Sequence, residues 1–297
     1  MPMYEGRPLP RPDEEVVDQG LGFDLGTVVS RRRILQALGL GVAGVGIAAC
    51  STETATPATA GAAGGEIPDE TAGPYPGDGS NGPDALDRSG IVRGDIRSSF
   101  GGASGTAQGV PMTLELTIQD LANGGKAFAG TAVYVWHCDR EGRYSMYSDG
   151  VTAENYLRGV QVADAAGTVR FTSIFPACYD GRWPHIHFEV YPDQASLTDP
   201  ANAIATSQVA LPQDACERVY AQPGYETSVT NLSRVTLRSD NVFGDDGGAL
   251  QLGTVTGDVT RGYAVSLRVG VDTTTTPTGG GMPDGGGPGG PPPGAPT

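Results

Sequence analysis

Lysine is almost missing from this chain: Lys126 is the one example, and Lys and Arg together number 19 against 34 Asp and Glu. The formal net charge of −15 argues against a nucleic-acid partner, because phosphate binding needs clustered cations. Acidity of this kind is most simply a matter of solubility. Histidine is scarce too, at three, so any histidine-based site must draw on His137, His185 and His187. The four cysteines include no CxxC pair, which removes a cysteine zinc site. No apolar run reaches the ~20 residues of a comfortable transmembrane helix. Helical periodicity is nearly absent, and no internal repeat of fixed period is visible.

What is present begins with an ordered series of signals near the N-terminus. A polar, acidic segment leads to Arg31-Arg32-Arg33, then to a glycine-rich apolar run over 34–49, then to Ile47-Ala48-Ala49-Cys50. This order resembles a twin-arginine export signal ending in a lipoprotein processing box; a spacer with a chance arginine cluster is the bland alternative. The first reading makes 1–49 the signal and Cys50 the lipidated first residue. It places the protein outside the cell, anchored at the outer face of the cytoplasmic membrane. Residues 50–65, mostly Thr, Ala and Gly, read as a flexible tether. Residues 272–297, a Thr run followed by Gly and Pro, read as a disordered tail. The folded domain is then 66–271, with 66–99 wrapping it as irregular but ordered chain. An oxidising compartment permits a disulfide: Cys178–Cys216 is the favoured pair, leaving Cys138 as a buried thiol.

Between the ends lie short β-like runs separated by turn signals. In 110–119, Met112, Leu114, Leu116 and Ile118 alternate onto one face. Similar runs occupy 131–138, 168–174, 185–191, 203–211, 234–238, 249–255 and 263–271, with turns at Asn123-Gly124-Gly125, Glu141-Gly142, Ala166-Gly167 and Asp245-Asp246-Gly247-Gly248. One short helix is expected over 212–220, opening on Pro and an acidic residue. The pattern predicts an all-β fold: a β-sandwich with long irregular loops and at most one or two short helices.

Side chains two apart on a strand share a face. His185, His187, Glu189 and Tyr191 therefore line one side, while Ile186, Phe188 and Val190 face the core. Two imidazoles at this spacing can converge on one metal, or they can simply be two exposed histidines. Upstream, the Gly- and Pro-rich turn 176–184 would fold Tyr179 and Arg182 back toward the histidines. Earlier, Val135-Trp136-His137-Cys138-Asp139 ends a strand and leads into Gly142-Arg143-Tyr144-Ser145-Met146-Tyr147. Phenolate is a hard anionic donor, an unusual but effective ligand for ferric iron.

These pieces together resemble the intradiol ring-cleavage dioxygenases, non-haem Fe(III) enzymes that open catechol-type rings. The matching segments are 136–144, Asn155-Tyr156-Leu157-Arg158-Gly159-Val160-Gln161, 171–176 and 179–187. Glu70-Thr71-Ala72-Gly73-Pro74-Tyr75 is similar to the family's Thr-x-Gly-Pro-Tyr segment lining the active site. The resemblance spans about 70–211 in the right order; beyond it the chain is similar only to exported members.

The resemblance implies Fe(III) as cofactor, O2 and a small aromatic diol as substrates, and muconate-type diacids as products. It implies Tyr144 and His185 as equatorial ligands and Tyr179 and His187 as axial ones, with Tyr179 also acting as a base. Arg182 would lie beside the substrate ring, and Gln208 would line the same pocket. Alternatives remain for several positions. Tyr147 could replace Tyr144, Tyr179 could be a turn aromatic, and Arg182 could be a surface ion-pair partner. His137 reads as structural or as holding a ligand by hydrogen bond; Asp139, Glu141 and Asp180 read as solvated loop acids. Trp183 would either cover the metal or plug the sandwich edge. Two rival functions are a cupin-like metal oxygenase and a non-catalytic surface lipoprotein that binds aromatic compounds. The cupin pattern wants a glutamate a few residues beyond the second histidine, where Tyr191 and Pro192 stand instead.

Overall fold

In the computed structural model, which describes residues 64–280 and a short N-terminal strand pair, β1 (Met3–Tyr4) with β2 (Arg7–Pro8), alternation builds the first sheet. Met112, Leu114, Leu116 and Ile118 are buried along β3 (Pro111–Asp120), while their neighbours turn outward. This strand is the spine of a five-stranded sheet. It pairs with the short β4 (Lys126–Ala127), with β7 (Thr168–Ile174) and, in parallel, with β11 (Gly262–Val271), which carries β10 (Thr254–Asp258) at the edge.

The second sheet has the order β6-β5-β8-β9 and is antiparallel throughout: β6 (Arg158–Val162), β5 (Ala132–Trp136), β8 (His185–Tyr191) and β9 (Ala205–Ala210). Val133, Val135, Ile186, Phe188 and Val190 pack from this sheet against Leu114, Leu116, Val169, Phe171, Val265 and Val269 of the other. That is the interior of the predicted sandwich. Yet every residue of β5, β8 and β9 is buried, because the outer face is covered as well. There Tyr134, Trp136 and Tyr191 join Ala72, Tyr75, Leu86, Ile91 and Tyr144 in a second apolar cluster. The irregular chain over 66–99 thus roofs the face on which the two histidines stand.

Helix α1 (Gln213–Tyr220) begins after Pro212 as expected, with Asp214 in its first turn and Arg218 in its last, each complementing the helix dipole. A second helix, α2 (Glu226–Leu232), was not foreseen. The run 234–238 is not a strand but a chain of turns. Residues 272–280, expected to be disordered, lie along the start of the domain. Thr278 N–H donates to the Asp69 carboxylate at 2.7 Å and Gly280 N–H to the Glu70 carbonyl at 2.9 Å. The expected disulfide is not formed: Cys138, Cys178 and Cys216 are buried free thiols.

The chain divides into Met1–Thr59 and Ala60–Thr297, and both sheets of the sandwich lie in the second unit. The expected export signal, Cys50, the tether before residue 64, and residues 281–297 lie outside the described residues. Among the described residues no helix is long and apolar enough to cross a membrane.

Candidate active site

Strand register sets the site's frame. Trp136 of β5 stands opposite Arg158 of β6 on one side and His187 of β8 on the other, and His187 stands opposite Gln208 of β9. Arg158, Trp136, His187 and Gln208 therefore form one row across the outer face. Trp136 stacks flat on the His187 imidazole, with ring centroids 4.9 Å apart and planes 6° from parallel. Above the ring, Gly73 approaches with φ +71°; a Cβ there would sit 3.3 Å from His187 Cε1. The glycine of the lead-in motif is needed for that closeness.

Four donor atoms meet beside this row. His185 Nε2 lies 3.1 Å from His187 Nε2 and 3.1 Å from the Tyr179 hydroxyl, which lies 3.5 Å from the Tyr144 hydroxyl. His185 Nδ1–H donates to the Trp183 carbonyl at 2.6 Å. That bond fixes the tautomer and leaves Nε2 as a lone pair aimed into the cluster. His187 Nδ1 is buried without a partner. Burial, with Arg182 adding to it, holds both imidazoles well below their ordinary pKa, so both are neutral. Burial also raises the Tyr144 phenol well above its ordinary value and pushes Tyr179 up to about 12, the nearby Arg182 charge opposing the rise in both.

This donor set fits a cation. Two ligands at about 2.1 Å from one ion and at a right angle lie about 3 Å apart, close to the spacings seen. The neutral cluster turns four lone-pair atoms toward one another, an arrangement that a hard, highly charged ion would satisfy by displacing the phenol protons. Among the described residues no group of three or more His, Cys, Asp and Glu is placed to hold a metal; here the tyrosines complete the set. Tyr147 is engaged elsewhere, donating to Asn81 Oδ1 at 2.6 Å and accepting from Gly77 N–H at 2.8 Å.

Arg182 is 14% exposed. Its Nε donates to Asp240 at 3.0 Å and its Nη2 to Gln208 Oε1 at 2.7 Å. Gln208 is fixed in turn by donating to the Thr71 carbonyl at 3.1 Å. Arg182 is thus part of a buried network rather than a surface ion pair. His137 stands apart, donating from Nδ1 to the Cys138 carbonyl and accepting at Nε2 from Ser173; it holds no member of the cluster. Trp183 plugs the interior and donates to the Leu211 carbonyl at 2.9 Å. Glu189 is buried near Asp78 and accepts from the Tyr191 hydroxyl at 2.8 Å; burial, then Asp78, pushes it up to about 8.

Sequence reasoning missed two supports. Asp139 is not a solvated acid: it is buried and accepts from Glu141 N–H, Arg143 N–H, Arg143 Nε and the Tyr156 hydroxyl. It folds the turn that presents Tyr144. Arg158, fully buried, donates to the Tyr75 and Ser145 carbonyls and to the Tyr134 hydroxyl, tying the roof to the same turn. Its place in the row opposite Trp136 was legible only once register was known.

Residues 81–190 match the family model Dioxygenase_C, described as Dioxygenase, and so take in Tyr144, Tyr179, Arg182, His185 and His187. Among solved structures, an intradiol ring-cleavage dioxygenase from Tetranychus urticae is similar at 20% identity and TM-score 0.58, covering 72% of this chain and 98% of that one. Catechol 1,2-dioxygenase from Pseudomonas arvilla C-1 is similar at 20% identity and TM-score 0.42, covering 66% and 62%. The dioxygenase domain of a carbohydrate-binding fusion from Streptomyces sp. SirexAA-E is similar at 20% and 0.45, covering 70% and 99%. The chain has the all-β sandwich of the intradiol ring-cleavage dioxygenases. The family match is thus to a dioxygenase model over 81–190, and the likeness in fold is to an intradiol ring-cleavage dioxygenase.

Proposed function

We propose that Tyr144, Tyr179, His185 and His187 hold a ferric ion, and that a catechol-type diol is cleaved beside it by O2 to a muconate-type diacid. The convergence of two phenol oxygens and two imidazole nitrogens at 3.1–3.5 Å carries this reading. When bound, ferric iron would supply Lewis acidity, drawing electron density from the diol so that a ring carbon can react with O2.

The protein's own groups account for the rest. Ionised to phenolate, as a bound cation would favour, the Tyr179 oxygen, in reach of both Tyr144 and His185, would take the proton of an incoming diol hydroxyl. Tyr144 is buried and backed by the Tyr75 ring at 4.9 Å, so it is held in place. Arg182 is a fixed cation for the negative charge that shifts from a diol oxygen onto a ring carbon as the ring ketonises. Gln208, itself fully buried, holds Arg182 by hydrogen bond.

Purified protein reconstituted with ferric iron is expected to show a visible tyrosinate-to-iron charge-transfer band and to turn over members of a catechol panel to muconates. Tyr179→Phe should alter that band, and both Tyr179→Phe and His187→Ala should lose turnover. A preparation that stays colourless and inert after ferric loading would favour a non-catalytic β-sandwich that binds aromatic compounds. We further propose that 1–49 directs export and that Cys50 carries the lipid anchor. A Cys50→Ala protein that still partitions with membranes would remove the anchor from the reading.

A further inference from the structure

We infer that Asp240, supplied by the turn region beyond the family-matching segment, is a positioning residue that aims Arg182 at the four-donor cluster. The inference rests on the role of Arg182 proposed above. The Asp240 side chain is 0% exposed. Its Oδ1 accepts from Val242 N–H at 2.8 Å and Phe243 N–H at 3.1 Å, and its Oδ2 accepts from Trp183 N–H at 2.6 Å. Three backbone donors therefore fix this carboxylate whether or not Arg182 is present.

Against that fixed anchor the guanidinium has one orientation. Nε lies 3.0 Å from Asp240 Oδ2, Nη2 lies 3.5 Å from Oδ1, and Nη2 lies 2.7 Å from Gln208 Oε1. The Nε and Nη2 edge is consumed by the anchors. Nη1 lies on the side of the guanidinium away from those anchors. That leaves it as the edge free for a substrate oxygen. The same turn reaches the cluster a second way, since the Phe243 ring packs at 6.5 Å against His185. Helix α2 frames the preceding residues: Ser228 Oγ accepts from Cys178 N–H at 3.0 Å and Asn231 donates to the Cys178 carbonyl at 2.9 Å. The chain beyond residue 211 thus belongs to the active site even though it supplies none of the four donors.

The test is Asp240→Asn in the full chain. Asn keeps the size but removes the charge, and its NH2 must face either Arg182 Nε and Trp183 N–H or Val242 and Phe243 N–H, so the anchor no longer holds the guanidinium in one orientation. The resting iron content and visible band should match wild type, because the four donors are untouched. Turnover should fall about 100-fold in kcat, the scale of an ångström-level misplacement, with KM changed far less. In an Arg182→Ala background the same substitution should add no further loss; an equal loss in both backgrounds would show that Asp240 acts independently of Arg182 and would overturn the inference. So would wild-type kcat in Asp240→Asn.

A second readout separates this inference from its parent. In the iron-free protein the Arg182 Nε–H should give a distinct, slowly exchanging nitrogen-15 resonance that Asp240→Asn abolishes. If wild type cleaves no catechol after ferric loading, the parent reading fails, and an unchanged Nε–H resonance in the variant would separately refute the anchoring. Should Asp240→Asn not fold, Asp240→Glu keeps the charge and displaces it by one methylene. It should show the same kcat loss, and wild-type kcat there would overturn the inference.

Discussion

Asp139 offers a direct test of how the Tyr144 turn is held. Its Oδ1 accepts from Glu141 N–H at 3.0 Å and Arg143 N–H at 2.9 Å; its Oδ2 accepts from Arg143 Nε at 2.9 Å and the Tyr156 hydroxyl at 3.0 Å. Summing charge-assisted bonds at about 1.5–3 kcal/mol each would overstate the effect. Burial works the other way: it raises the Asp139 pKa despite the opposing bonds from Arg143, so desolvation cancels much of the gain. Arg143 is one-third exposed and keeps Glu141, so the net quantity is the cost of leaving the two backbone donors and the Tyr156 hydroxyl unpaired at about 1–3 kcal/mol each, or about 3–5 kcal/mol for Asp139→Ala. Asp139→Asn retains an acceptor for the two backbone donors but opposes an N–H to Arg143, for a loss of about 1.5–3 kcal/mol. Urea unfolding of the iron-free variants, with the slope m held against wild type, measures both. If Asp139→Ala unfolds within about 0.5 kcal/mol of wild type at unchanged m, the carboxylate does not hold the turn and the reasoning fails.

Two further outcomes follow from the roof over the histidines. Gly73→Ala places a Cβ at φ +71° and 3.3 Å from His187 Cε1; the backbone strain costs about 1–2 kcal/mol, and ferric iron should bind more weakly because the imidazole must shift. Unaltered stability and iron affinity together would refute the close approach. Glu70 is pushed up to about 7, by burial first and then by Asp245, with its bond from Gln251 opposing. A raised carboxyl pKa favours the protonated folded state. The associated stability is fully present below the unfolded value near 4.5 and is lost as pH rises through about 7. Glu70→Gln removes that loss, so its Tm should match wild type near pH 4 and exceed it above pH 7. Parallel Tm profiles across this range would exclude the linkage.

How far the chain could be read depended on which forces were local. The strands at 168–174 and 185–191 were legible residue for residue, since alternation and β-branched content point the same way. The 234–238 run also alternates, with Val235 buried. There Thr236 and Ser239 bond to each other's backbone and side chains, and such local bonding competes with a ladder. Helix α2 was illegible for the converse reason. Thr, Ser, Val and Asn are modest helix formers, and what orders them is tertiary: Ser228 and Asn231 are buried against the Cys178 backbone. The free cysteines follow the same logic, because packing, not compartment, decides whether two thiols can meet in bonding geometry.

The site itself divides along that line. Tyr144, Tyr179, His185, His187 and Arg182 are reactive types in a recognisable order, so their candidacy was visible without a structure. Their supports were not, because an acid that anchors a site and an acid that faces water are written with the same letter. Asp139 and Asp240 differ from Asp180 only in what surrounds them: both are buried and ringed by donors, whereas Asp180 is partly exposed. A buried carboxylate is tolerated only when its donors are in place. It therefore reports that the local chain has been folded around it, and in both cases the chain so folded ends on a member of the cluster or its arginine. Acids within a few residues of a reactive group, or brought to it by a later turn, are thus the first positions to test for buried donors when only the reactive residues are known.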